Sequence, residues 1–124
     1  MNRFAAFHLR FASLYAIVGM ALGISMGIRQ DFALQTAHAH LNLLGWVSIT
    51  LYGLVLRLDP YLSGWLPLLQ VICAHVGSLC MFAGLTIMVL VDHQTADPFL
   101  TIGSLAMITA AALFSILAFR ITRR

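Results

Sequence analysis

The chain has 124 residues, of which 61% are hydrophobic and only 9% charged, with a mean hydropathy of +0.96. That balance excludes an ordinary soluble domain and implies an integral membrane protein. The net charge of +3 does not mark a nucleic-acid-binding surface: all seven bases are arginine, and six stand at the edges of apolar runs, where they set membrane topology.

Residues 11–28 carry no charge and predict a first span, since crossing a bilayer core takes roughly 20 apolar residues. The run is long for a signal peptide and no A-x-A site follows it, so a membrane helix is expected and not a cleaved leader. Gly19, Gly23 and Gly27 recur at every fourth position, with Ala12 and Ala16 below them. Such a stripe is a close-packing face for another helix, in the same protomer or in a neighbour.

A second span is expected over residues 36–56 and a third over residues 66–91. A fourth covers residues 98–119, with Asp97 as N-cap and Pro98 at the first helical position. The connections "RQDFALQ", "RLDPYLSGW" and "DHQTAD" are short, so consecutive helices are antiparallel neighbours. The expected fold is all-α: one four-helix membrane domain covering residues 1–124. Arg3, Arg10, Arg57, Arg120, Arg123 and Arg124 fall on one side and Arg29 alone on the other. This 6 to 1 asymmetry predicts cytoplasmic termini, in what is expected to be a bacterial inner membrane. Cys73 and Cys80, seven residues apart in one apolar run, would lie about 10 Å apart on a helix, too far to bridge.

Five histidines interrupt this apolar background. His8, among Phe4, Phe7 and Arg10, reads as an interfacial residue without chemistry. His93, beside Asp92, reads as solvated, with a metal or a heme propionate as the alternative. His75 lies well inside the third span, where a polar side chain faces the bundle interior and finds a partner. An interhelical hydrogen bond is its first reading, with a second cofactor site or a proton relay as alternatives.

His38 and His40, in "TAHAHLNLLGW", are harder to explain by packing. Residues two apart on a helix diverge by roughly 200°, so the pair cannot share one ion from one helix. The His38 face continues through Asn42, Gly45, Ile49 and Tyr52, and the His40 face through Leu44, Val47 and Leu51. Both faces can accept a flat apolar group. Heme fits: imidazole is a standard axial ligand, Gly45 leaves room for a ring edge and Trp46 supplies a wall. The alternative is a frayed first turn at the water interface whose imidazoles only hydrogen-bond.

The residues His38-Ala39-His40, followed by an apolar run in the second of four spans, resemble the ligand-bearing helices of the heme-copper oxidase and nitric oxide reductase catalytic subunit. "HAHLNLLGW" is also similar to sequences in NnrS-type membrane heme proteins. The resemblance implies a core of twelve helices in three arcs of four, with a His-x-His serving two hemes on opposite sides. This chain is about one-third of the family's length and lacks its His-His copper pair.

Within one protomer, His75 stands too far from His40 in height to clamp a shared heme, and Met26 and His93 are weaker ligands. A neighbouring copy offers His38 against His40 at one height. Three protomers supply the family's twelve helices, so a homotrimer is expected ahead of a dimer. The expected function is a b-type cytochrome for electron transfer or redox sensing. The alternatives are a heme enzyme reducing nitric oxide or oxygen, and a copper-binding or structural membrane subunit. The expected partners are membrane lipid and further copies of the chain, and the residues identify no redox partner.

Overall fold

The computed structural model describes residues 2–123, so the contribution of Arg124 to the arginine asymmetry lies outside the described residues. Four helices, α1 (Arg3–Arg29), α2 (Gln35–Leu56), α3 (Trp65–Leu90) and α4 (His93–Thr122), are each long and apolar enough to cross a bilayer. No strand occurs among the described residues. Helices α1 and α2 pair through a short turn, α3 and α4 form a tighter hairpin, and the two hairpins pack side by side.

Two helix starts differ from those expected. Helix α1 begins eight residues before position 11, because Asn2 caps it by accepting from the Ala5 N–H at 2.8 Å. The Asn2 amide also donates to the carbonyls of Leu56 and Asp59 at 2.6 and 2.7 Å, which ties the start of α1 to the end of α2. Arg10 does not interrupt the helix, since it lies on the exposed face, where its stem can run toward polar surroundings. Helix α4 begins at His93 with Asp92 as its cap, not at Pro98. Asp97 instead accepts from the His93 Nδ1–H at 2.8 Å, one turn into the helix.

Helix α2 changes its winding midway. It is α-helical over Gln35–His40, π-helical over Leu41–Ser48 and α-helical again over Ile49–Leu56. From Gln35 to Ile49 its buried residues, Ala37, Leu41, Gly45 and Ile49, are spaced by four. At 3.6 residues per turn such a series drifts by roughly 40° per step. The wider π turn removes most of that drift, so all four positions stay against the bundle.

The core has two parts. Near the chain termini, Phe4, Ala5, Leu56, Leu66, Val71 and Leu117 close the bundle. At mid-height, Ala12, Tyr15, Leu41, Ile49, Tyr52, Ala74 and Ala110 fill it, with Cys73 packed against them. Both cysteines are free thiols. Close approach of α3 and α4 rests on glycine: a Cβ at Gly103 would lie 2.8 Å from the Met81 backbone nitrogen.

Candidate functional site

Two groups of polar side chains stand on the inner face of α1, at different heights. The one the histidine pair led us to expect lies around Gly19 and Gly23, in the half of the bundle away from the termini. There the glycine stripe packs inside the protomer. A Cβ at Gly23 would come within 2.8 Å of His38 Cε1, and one at Gly19 would meet the Asn42 amide. Gly27 faces open space.

His38 donates from Nδ1 to the Gly19 carbonyl at 2.9 Å, and His40 donates from Nδ1 to the Thr36 carbonyl at 2.9 Å. A carbonyl can only accept, so each Nδ1 carries the proton and each Nε2 keeps its lone pair. That is the tautomer an imidazole needs to ligate a metal through Nε2, with the carbonyl as the orienting outer partner. The two rings diverge: His38 lies against α1, whereas His40 is bonded only within its own helix.

The surroundings of the two rings are unequal. The Asn42 amide nitrogen stands 3.2 Å from the His38 Nδ1 and 3.5 Å from its Nε2, which lies beside the Cβ position of Gly23. Asn42 also donates to the His38 carbonyl at 3.0 Å. His40 is half-buried, with exposed Leu43, Val47 and Leu51 and the exposed Trp46 further along its helix. Gly45 is buried, and the space beside it is filled by the ring of Tyr15. For a heme, the donor set therefore fits at His40 as it stands. An iron at His38 requires that ring to swing off Gly23. Among the described residues, no three His, Cys, Asp or Glu side chains gather as a metal-binding group.

The other group was not expected from the sequence. His8 is fully buried within α1, not interfacial. Its Nε2 stands 2.8 Å from Gln70 Oε1 and its Nδ1 3.1 Å from His75 Nε2. The second nitrogen of His75 stands 3.0 Å from the Tyr15 hydroxyl. The two imidazoles are stacked with centroids 5.1 Å apart, and Phe7 and Phe11 present edge contacts to His75. His75 thus makes the interhelical hydrogen bond expected of it. One signal was available in the sequence: His8 continues the stripe of Ala12, Tyr15 and Gly19 at helical spacing, once the helix is allowed to start before Phe11.

The two groups occupy successive stretches of α1: His75 meets it between His8 and Tyr15 and His38 between Gly19 and Gly23, so their nearest points are about one helical turn apart. His93 and Met26 join neither group: His93 pairs with Asp97 in an exposed position, and Met26 is buried near the end of α1. No family model, curated protein or solved structure matches the chain.

Proposed function

We propose that the chain is a membrane b-type heme protein whose axial ligands are His40 and His38, in the half of the bundle away from the termini. Each heme is shared between protomers, His40 coming from one chain and His38 from its neighbour, in a homotrimer of the heme-copper oxidase-like plan. The role is electron transfer or redox sensing. Bound heme would supply a one-electron couple, and the chain supplies its ligands and an apolar wall.

One observation carries this reading. Both imidazoles spend Nδ1 on a backbone carbonyl of the membrane-spanning bundle and keep Nε2 as an acceptor. A histidine retained only for packing would gain by donating and accepting, whereas a metal ligand needs this arrangement. The opposed directions of the rings support ligation of two different irons by one helix.

The test is the visible spectrum of the purified protein. We expect a Soret band, α and β bands on reduction typical of six-coordinate iron, and a pyridine hemochrome of the b type. His40→Ala should remove them. A colourless protein carrying stoichiometric copper would replace this reading with copper binding, and a spectrum that shifts fully on adding carbon monoxide to the reduced protein would make the iron five-coordinate.

A further inference from the structure

On the side of the termini, α1 and α3 leave a groove of about 420 Å³ between them. Arg3, Phe4 and Phe7 line it from α1, and Leu68, Val71 and Ile72 from α3. Residues three and four apart share one helix face, so each helix turns a single face to the groove. Phe4 and Val71 are buried in the terminal part of the core and form the floor, whereas Phe7, Leu68 and Ile72 are exposed and stand as walls. A floor that belongs to the packed bundle makes the groove preformed.

Arg3 is the only polar side chain among the described residues that line it. Its guanidinium lies 4.9 Å from the centroid of the Phe4 ring, a cation–π contact that leaves its N–H donors unspent. Among the described residues it makes no ion pair. The surroundings are basic as well. Arg57, Arg120 and Arg123 lie on the same side of the bundle, where Asp59 is the only one of the chain's four acids. Arg10 shares the exposed face of α1 with Arg3 and Phe7 and adds a second positive charge to it.

We propose that this groove binds one anionic phospholipid, with its phosphate on Arg3 and an acyl chain along Phe4, Phe7, Leu68, Val71 and Ile72. The chain follows from the setting: the groove opens between two membrane-spanning helices, and its walls offer no hydrogen-bonding side chain beyond Arg3. A concave apolar surface with one fixed polar group at its rim is the usual build of a site that orients an amphipathic ligand. The headgroup follows from charge. Guanidinium holds a phosphate through two parallel N–H bonds. A zwitterionic headgroup brings a cation that meets no carboxylate in the groove, whereas an anionic one brings net negative charge to the basic end of the bundle.

Phe7 links the groove to the interior. Its ring stands edge-on to His75 with centroids 5.0 Å apart, so the seated acyl chain covers the outer side of a ring that shields the buried imidazole pair. The proposal stands whether or not heme is bound.

The experiment is native mass spectrometry of the full chain, released from detergent micelles that contain equal amounts of phosphatidylglycerol and phosphatidylcholine. Wild type should carry phosphatidylglycerol in preference by about fivefold, which is what one arginine supplies toward anionic lipid. Phosphatidylglycerol should also raise the melting temperature more than phosphatidylcholine does, since a ligand of the folded state stabilises it. Arg3→Gln should bring the two lipids to parity, while Arg57→Gln, on the same side but off the groove, should keep the preference. Ile72→Trp fills the groove from an exposed wall and should lower the binding of both lipids. Glycerol phosphate, a headgroup without chains, should not displace the bound lipid. Equal binding of the two lipids by wild type, or a preference that survives Arg3→Gln, would overturn the site. Equal losses in Arg3→Gln and Arg57→Gln would reduce it to diffuse charge attraction, and displacement by glycerol phosphate would leave the groove without a part. A change of oligomer mass in Ile72→Trp with lipid binding unaltered would assign the groove to a second copy of the chain.

Discussion

His8 and His75 stand 67 residues apart in the chain and share a hydrogen bond of 3.1 Å in the bundle interior. The pair crosslinks the two helical hairpins, so its loss should be felt in stability. Removing one partner strands the others, at about 1–3 kcal/mol for each buried group left without a partner. His8→Leu strands groups on His75 and Gln70, and His75→Leu strands groups on His8 and Tyr15, so the two should lower the melting temperature in detergent by similar amounts. The visible spectrum should survive both substitutions, because the proposed ligands His38 and His40 lie on α2, where it meets α1 at Gly19 and Gly23, beyond the polar group of His8 and His75. Loss of the bis-histidine spectrum in His75→Leu with an intact fold would assign an iron ligand to the wrong end of the bundle.

The glycines of α1 should divide sharply. A methyl at Gly23 would sit 2.8 Å from the His38 ring, while one at Gly27 would meet nothing within 4 Å. Gly23→Ala should therefore displace His38 from the Gly19 carbonyl and lower the melting temperature. Gly27→Ala should be neutral or slightly stabilising, by up to about 1 kcal/mol of helix propensity. Equal melting of the two variants would mean that α1 does not press on His38.

The four spans were legible in the sequence because apolar runs and charged turns alternate plainly. The helix ends were not. Arg10 looks like a boundary in one dimension, yet on a helix it occupies one exposed face while Phe4, His8 and Ala12 remain buried. Hiding the start of α1 also hid His8, and with it the polar chain through Gln70. The π-helical stretch of α2 was equally out of reach, since its cause is tertiary: a buried series spaced by four that must stay on one face. Asp97 with Pro98 is a sound start signal by local rules, but Asp92 satisfies the same rules one turn and a half earlier and adds the Thr95 hydroxyl.

That choice of cap can be tested by acid. The Asp92 carboxylate accepts from the Thr95 N–H at 2.7 Å and from its hydroxyl at 2.9 Å. These bonds, the backbone one foremost, hold its pKa below the ordinary carboxylate value. A folded-state pKa that is depressed gives stability that is present above the unfolded value and lost as pH falls through the folded one. Amide exchange in the first turn of α4 should thus be slow near neutrality and accelerate only in acid, below the usual aspartate range. Asp92→Ala should remove that protection at every pH, while Asp97→Ala leaves it in place. Unchanged exchange in Asp92→Ala would restore Asp97 as the cap.

The proposed sharing of heme between chains leads to the most specific outcome. His38 and His40 diverge on one helix, and only His40 is free of α1 in its own protomer, so an iron bound by both kinds of ligand draws them from two copies. In a closed ring each interface then uses His38 of one chain and His40 of the next. His38→Ala alone and His40→Ala alone should each lose six-coordinate heme at all interfaces. When the two variants are co-expressed with different tags and co-purified, an interface recovers only where the chain that retains His38 precedes the one that retains His40. Random assembly from equal amounts makes that about one interface in four, ½ × ½, so heme content should return to about a quarter of wild type. Full recovery, or a bis-histidine spectrum in either variant by itself, would show that each protomer supplies both ligands from within.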